Sequence, residues 1–371
     1  MIYALSARHF VLWEPQHVAE RLRISTEIIR HATEADDQER ILWGHNYRIA
    51  NLLEMGEGQA AKEELTTFSR LATELRHPRY LWAATELQSL WALLDGRFSE
   101  VERLSQQALA IGQRVGRRTA RLLFNDRMMS LRWEQGRLQE MVESRTALGT
   151  QYPVARASLA WIYSEIGREA EARREFGILA ADDFANISRD VSWLLSLSYL
   201  ARVCAFLGDT HKASLLYSLL LPHKQSNVVV PGAIVFHGSV SHLLGLLATT
   251  LSSWADGEQH FLDALAMYTK LNARSYVAHT QSDYARMLLI RAQPGDVTKA
   301  RELLDLALAT AQELGMARLE SQVQGLKSKV QAGQVPGSKF QVSRTESSSQ
   351  KSESPLLQLQ TLHPELRIPS P

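Results

Sequence analysis

The stretch from Arg79 to Gly116, RYLWAATELQSLWALLDGRFSEVERLSQQALAIGQRVG, decides the fold. Leu87, Leu90, Trp91 and Leu94 recur at the three-and-four spacing that places side chains on one helical face. Asp95-Gly96-Arg97 then stops the helix, because a glycine takes left-handed backbone at little cost. Val101, Leu104, Ala108 and Ile111 begin a second apolar stripe. The stretch therefore reads as two antiparallel helices. So small a hairpin cannot bury both faces alone, and it requires stacked neighbours.

The same figure recurs along the chain: a turn residue, a small residue five later, and an apolar or small residue twelve later. The turn positions are Glu14, Gly56, Gly96, Gly136, Gly167, Gly208, Ser252 and Gly295, at intervals of 31 to 44 residues. The fifth positions hold Ala19, Ala61, Val101, Met141, Ala172, Ala213, Gly257 and Ala300. The twelfth hold Thr26, Phe68, Ala108, Leu148, Leu179, Leu220, Ala264 and Ala307. Small residues on the second helix of each hairpin let the first approach closely, and the apolar stripes bind the next hairpin. The expectation is an all-α, right-handed superhelical solenoid of about eight long hairpins, with a repeat longer than the 34 residues of the minimal tetratricopeptide unit.

One interruption breaks the series. In residues 223–238, HKQSNVVVPGAIVFHG, the β-branched Val228-Val229-Val230 precede Pro231-Gly232 and disfavour helix. This segment is expected to be a buried crossing loop or a functional insertion. From Gln331 the composition turns to Ser, Gln, Lys and Pro, so two parts are expected: a repeat domain over 1–330 and a disordered tail over 331–371.

Composition narrows the chemistry. The chain has 371 residues, 45% hydrophobic and 22% charged, with a formal net charge of +1, which argues against a general nucleic-acid footprint. A single cysteine, Cys204, excludes an internal disulfide framework and reads as a packing residue. The 12 histidines include no pair at helical metal-ligand spacing, so no metal and no cofactor are expected. Gly333 to Lys339 imitates a phosphate loop but lacks the hydroxyl residue after its lysine and any preceding strand. Asp36-Asp37 and Asp182-Asp183 fall between units, where Asp caps helices. No apolar run has the length of a membrane span, and no leader is evident, so a cytoplasmic protein is expected.

Several stretches carry a family likeness: LLDGRFSEVERLSQQALAIG, LRWEQGRLQE, LAADDFANISRDVSWLLSLSYLARVCAFLGD, NVVV with GSVSHLLGLLATTL, and SDYARMLLIRAQPGDVTKARELLDLALATAQELGM. From about Leu5 to Leu319 the chain resembles the long tetratricopeptide-like repeats of the maltose-regulon activator type of bacterial regulator. More specifically, it is similar to the C-terminal repeat region of large bacterial proteins that join a signal-transducing ATPase to a transcription-regulator or adenylate/guanylate cyclase domain. The family's ATPase module has no counterpart here, so the resemblance implies the scaffold and its sensing or docking role alone.

The resulting expectation is a non-enzymatic scaffold for a protein or peptide partner, an ATPase or regulator module being one candidate, without direct nucleic-acid or membrane binding. Projection of the repeat geometry puts Asn46, Glu86, Asp126, Trp133, Trp161, Arg202 and His242 on the concave wall as partner-binding residues. The alternative is a small-ligand sensor, in which the Asn227–Gly238 loop closes a pocket and regulates an ATPase or transcription module.

Overall fold

A computed structural model describes residues 1–148, 152–233 and 235–332, among which sixteen α-helices follow one another with a single pair of short strands. The tail expected from residue 331 falls, beyond Ala332, outside the described residues, and so does the phosphate-loop imitation at 333–339.

The opening stretch forms α5 (Pro78–Leu94) and the first half of α6 (Phe98–Glu134). Gly96 has φ +76°, and the N–H groups of Gly96 and Arg97 donate to the Leu93 and Ala92 carbonyls. This is the paired bond that closes a helix through a left-handed residue. The same bonds recur at Gly56, Gly136 and Gly167, and at Ser252, which takes φ +58° without being glycine. Gly208 and Gly295 are left-handed too. Gly116 lies in extended backbone (φ −165°, ψ 89°) and divides α6 into two helices without a loop. Pro78 and Pro153 start their helices, where a missing N–H costs nothing.

Neighbouring helices pack in sequence order. The hairpins are α1 (Ile2–Val11) with α2 (Val18–Glu34), α3 (Gln38–Glu54) with α4 (Gly58–Leu75), and then α5 with α6. After the short α7 (Val142–Ala147) come α8 (Pro153–Glu165) with α9 (Glu169–Leu179), and α10 (Trp193–Leu207) with α11 (Thr210–Leu220). The strands β1 (Asn227–Val229) and β2 (Phe236–Ser239) precede α12 (Val240–Thr250) with α13 (Trp254–Leu271), α14 (Arg274–Arg291) with α15 (Asp296–Leu314), and a closing α16 (Ala317–Gln331). Among the described residues no helix is long and apolar enough to cross a membrane.

The small residues at the fifth positions are buried, with Ala61, Ala172, Ala213 and Ala300 all at 0% exposure. The first hairpin departs from this. Ala19 is exposed, and the buried series on α2 runs through Arg21, Ile24, Ser25, Ile28 and Ala32. A helical turn at Pro15–His17 lengthens the connection and moves the register by two residues. Arg21 thus stands where four of the seven later hairpins carry alanine. Its guanidinium, at 0% exposure, donates to Asn51 Oδ1 at 2.7 Å and Glu54 Oε2 at 2.6 Å, beneath the Trp13 ring.

The interrupting segment forms a small antiparallel pair, β1 with β2, buried at every strand position. Polar groups of the surrounding helices satisfy its edges, as buried backbone requires. Asn227 Nδ2 donates to the Leu53 carbonyl at 2.8 Å, Tyr276 hydroxyl to the Phe236 carbonyl at 3.0 Å, and the Ser239 N–H to Tyr268 hydroxyl at 2.6 Å. Val229 and Phe236 share one apolar cluster with α3, α4, α5, α13 and α14. The pair therefore fills the middle of the stack.

The stack also returns upon itself. The turn before α4 meets the end of α13, where Lys270 Nζ lies 2.6 Å from Glu57 Oε1. A Cβ on Gly58 would sit 2.9 Å from the Leu271 Cα, and one on Gly96 2.7 Å from Leu314 Cδ1 at the end of α15. These approaches bind the last hairpins to the second and third.

Candidate functional site

Closure decides what remains of the concave wall. Asn46 on α3 is half-buried. Glu86 on α5 is buried, accepts from Trp82 Nε1 at 3.2 Å, and has its carboxyl raised above the ordinary range by burial. Asp126 on α6 is ion-paired with Arg145.

Trp133, Trp161, Arg202 and His242 come together with residues from the returning helices. The two indole rings are 5.7 Å apart, and the Arg202 guanidinium lies 5.6 Å from the Trp133 ring. Trp161 is 1% exposed and His242 0%. Neither presents surface to a macromolecule in this conformation. Beside them opens a cleft of about 300 Å³, lined by Trp133 of α6, Glu165 of α8, Arg202 of α10, Leu246 of α12, Asp283 and Arg286 of α14, and Arg318 of α16.

Most charges at this cleft are matched. Glu165 accepts from Trp133 Nε1 at 2.9 Å and Trp161 Nε1 at 3.2 Å, and is ion-paired with Arg318. His279 Nε2 lies 2.9 Å from Glu134 Oε2, and its ring stacks on Trp133 at 4.2 Å. His242 Nε2 lies 2.9 Å from Asp283 Oδ2, with Arg286 3.4 Å from the same carboxylate's other oxygen. Burial pushes the Asp283 carboxyl up, but the His242 hydrogen bond and the charges of Arg286, His242 and Arg202 together hold it below the usual range. Burial brings His242 down to about 4, so its ring is neutral at pH 7.

Arg202 is the exception. It is 9% exposed, and among the described residues it has no ion pair or hydrogen bond, its Nε being buried without a partner. Three arginines and two carboxylates line the cleft, and a third carboxylate, Glu134, stands behind His279. An arginine without an ion pair or hydrogen bond at the edge of an open cleft suits recognition of an acidic group. Among the described residues, no group of three or more His, Cys, Asp or Glu side chains converges to hold a metal.

Repeat projection identified four of the residues gathered here. It missed Glu165, His279, Asp283, Arg286 and Arg318. Asp283 and Arg286 stand within the SDYARMLLIR stretch, but nothing local indicates that α14 and α16 fold back beside α6 and α8. A scan of protein-family models found no match to the chain, and no curated protein matched it.

Proposed function

We propose that this chain is a non-enzymatic sensor domain, a right-handed superhelix of about eight tetratricopeptide-like hairpins that binds a small ligand in the Trp133–Arg202–Arg318 cleft. It passes the bound state to a protein partner, such as the ATPase or regulator module that accompanies similar repeats in bacterial signalling proteins. It works in the cytoplasm, without direct contact to nucleic acid or membrane. One observation carries this reading. The chain's own strand pair fills the middle of the concave wall, while a cleft of about 300 Å³ stays open beside it. That volume lies at the lower end of the range for small-molecule sites, about 300 to 1,000 Å³. Because α6, α8, α10, α14 and α16 all contribute, an occupant would tie the first half of the stack to the returning half.

The test is a thermal-shift screen of metabolites of varied charge. A ligand at about a hundred times its dissociation constant adds about 2.7 kcal/mol of stability. Ala205→Trp, placed in the cleft wall, should abolish the shift. Absence of any shift across the screen defeats this reading. The second reading, a scaffold for a partner protein, then leads. It is favoured by the apolar residues on α1, where Tyr3 is 66% and Val11 83% exposed. A pull-down lost on Val11→Lys would support it.

A further inference from the structure

We infer that the cleft is an oxyanion site, in which the Arg202 guanidinium holds a carboxylate or phosphate group of a small ligand and Arg286 and Arg318 stand at its sides. This rests on the reading of the cleft as a ligand site and adds the chemistry of the ligand.

A buried charge without a partner is costly, and folded proteins pair or solvate such groups. The other charged groups around this cleft follow that rule: Glu165 with Arg318, Asp283 with His242 and Arg286, Glu134 with His279. Among the described residues Arg202 makes no ion pair or hydrogen bond; the Trp133 ring lies 5.6 Å away, and the Asp283 carboxylate, which the Arg202 charge helps hold below the usual range, is already paired with His242 and Arg286. The Arg202 side chain borders open space. A guanidinium is a planar fork whose N–H groups match two oxygens of one carboxylate or phosphate. Of the neighbouring carboxylates, Glu165 is offset by Arg318 and Asp283 by Arg286. The cleft's size suits a few-carbon acid or a small phosphate ester better than a nucleotide or peptide. Leu246, Leu319 and the Trp133 ring provide an apolar wall for a short carbon body.

The experiment is calorimetric titration and thermal shift with inorganic phosphate and with citrate, each against sodium chloride at equal ionic strength. Wild type is compared with Arg202→Gln and with Arg70→Gln, a change in an exposed ion pair on α4. One or both anions should raise Tm above the chloride reference. Affinity should fall about tenfold or more in Arg202→Gln and stay unchanged in Arg70→Gln. The preferred anion separates phosphate from carboxylate recognition. If Arg202→Gln does not fold, Arg286→Gln, whose side chain is 40% exposed, supplies the same comparison with a smaller loss. The inference is overturned if neither anion shifts wild type, or if the shift survives in Arg202→Gln, or in Arg286→Gln where that variant takes its place. Should an uncharged metabolite shift Tm in a manner blocked by Ala205→Trp but not by Arg202→Gln, the cleft is a ligand site and the oxyanion assignment fails alone. If nothing in the wider screen binds, both readings fail.

Discussion

His279 Nε2 and Glu134 Oε2 lie 2.9 Å apart across 145 residues of sequence, with side chains only 5% and 3% exposed. The pair joins the returning helix α14 to the end of α6, and its histidine lines the cleft. A hydrogen bond to a charged group is worth about 1.5 to 3 kcal/mol, and an orphaned buried partner adds to its loss. Glu134→Ala should therefore lower unfolding free energy by about 3 kcal/mol, and Glu134→Gln by less. Urea denaturation checks both; equal losses would show that packing, not the bond, matters at this position.

Two glycine replacements should differ in sign. Alanine is favoured over glycine in a helix interior by up to about 1 kcal/mol. At Gly325 in α16 an added Cβ meets nothing within 4 Å, so Gly325→Ala should stabilise the protein by about 0.5 to 1 kcal/mol. At Gly58 the Cβ would press on the Leu271 backbone, which cannot swing aside as a side chain end does. Gly58→Ala should cost about 1 to 3 kcal/mol. Denaturant midpoints for the two variants decide whether the return contact is tight.

The buried cluster around Arg21 makes a pH prediction. Burial pushes the Glu54 carboxyl up to about 7, against the opposing charge and hydrogen bond of Arg21. The folded protein then keeps a proton that the unfolded chain releases above about 4.5. This contribution to stability is fully present below 4.5 and is lost as pH rises towards 7. Burial, then the Arg21 charge, bring His9 down to about 3, which gives the opposite slope: stability is lost as pH falls below 6.5. The two offset each other in the wild type, so the informative quantity is the difference from Glu54→Gln. That difference should move against the wild type by about 3 kcal/mol between pH 4.5 and pH 7. A flat difference would mean that Glu54 is ionised throughout.

Cys204 should be inert in the native state. Burial, and secondarily the Asp209 charge, push its thiol up to about 12, and its exposure is 0%. Reaction with a disulfide reagent at pH 8 should run about a thousandfold slower than in denaturant, as its thiolate fraction dictates. Fast labelling of the folded chain would contradict this.

The repeat was legible because its turns make a stereochemical demand. Left-handed backbone favours glycine, and Gly56, Gly96, Gly136, Gly167, Gly208 and Gly295 marked those turns in the sequence; all have positive φ. Ser252 kept the conformation without the signal. The first hairpin misled for a local reason. The turn at Pro15–His17 moved the register, and a buried arginine, paired with Asn51 and Glu54, took the place of a small residue. The cleft was legible only in part: of the residues projected onto the wall, Trp133 and Arg202 line it, while Trp161 and His242 are buried beside it. Their partners from α14 and α16 did not follow from repeat projection, because those arrive by long-range packing that periodicity does not encode.

The contact between the ends of α13 and α15 and the turns of the second and third hairpins changes how the molecule should come apart. An open array peels from its ends, each lost hairpin costing one interface. Here the final hairpins grip the early ones and the strand pair is trapped between them, so the chain behaves as a buckle, not a spring. Unfastening the C-terminal helices uncovers the interior at once, which favours all-or-none unfolding over gradual fraying. Assembly bears the converse burden. The clasp forms only after some two hundred residues of chain have been brought round to meet Glu57, so fastening is slow relative to the local hairpins that it locks.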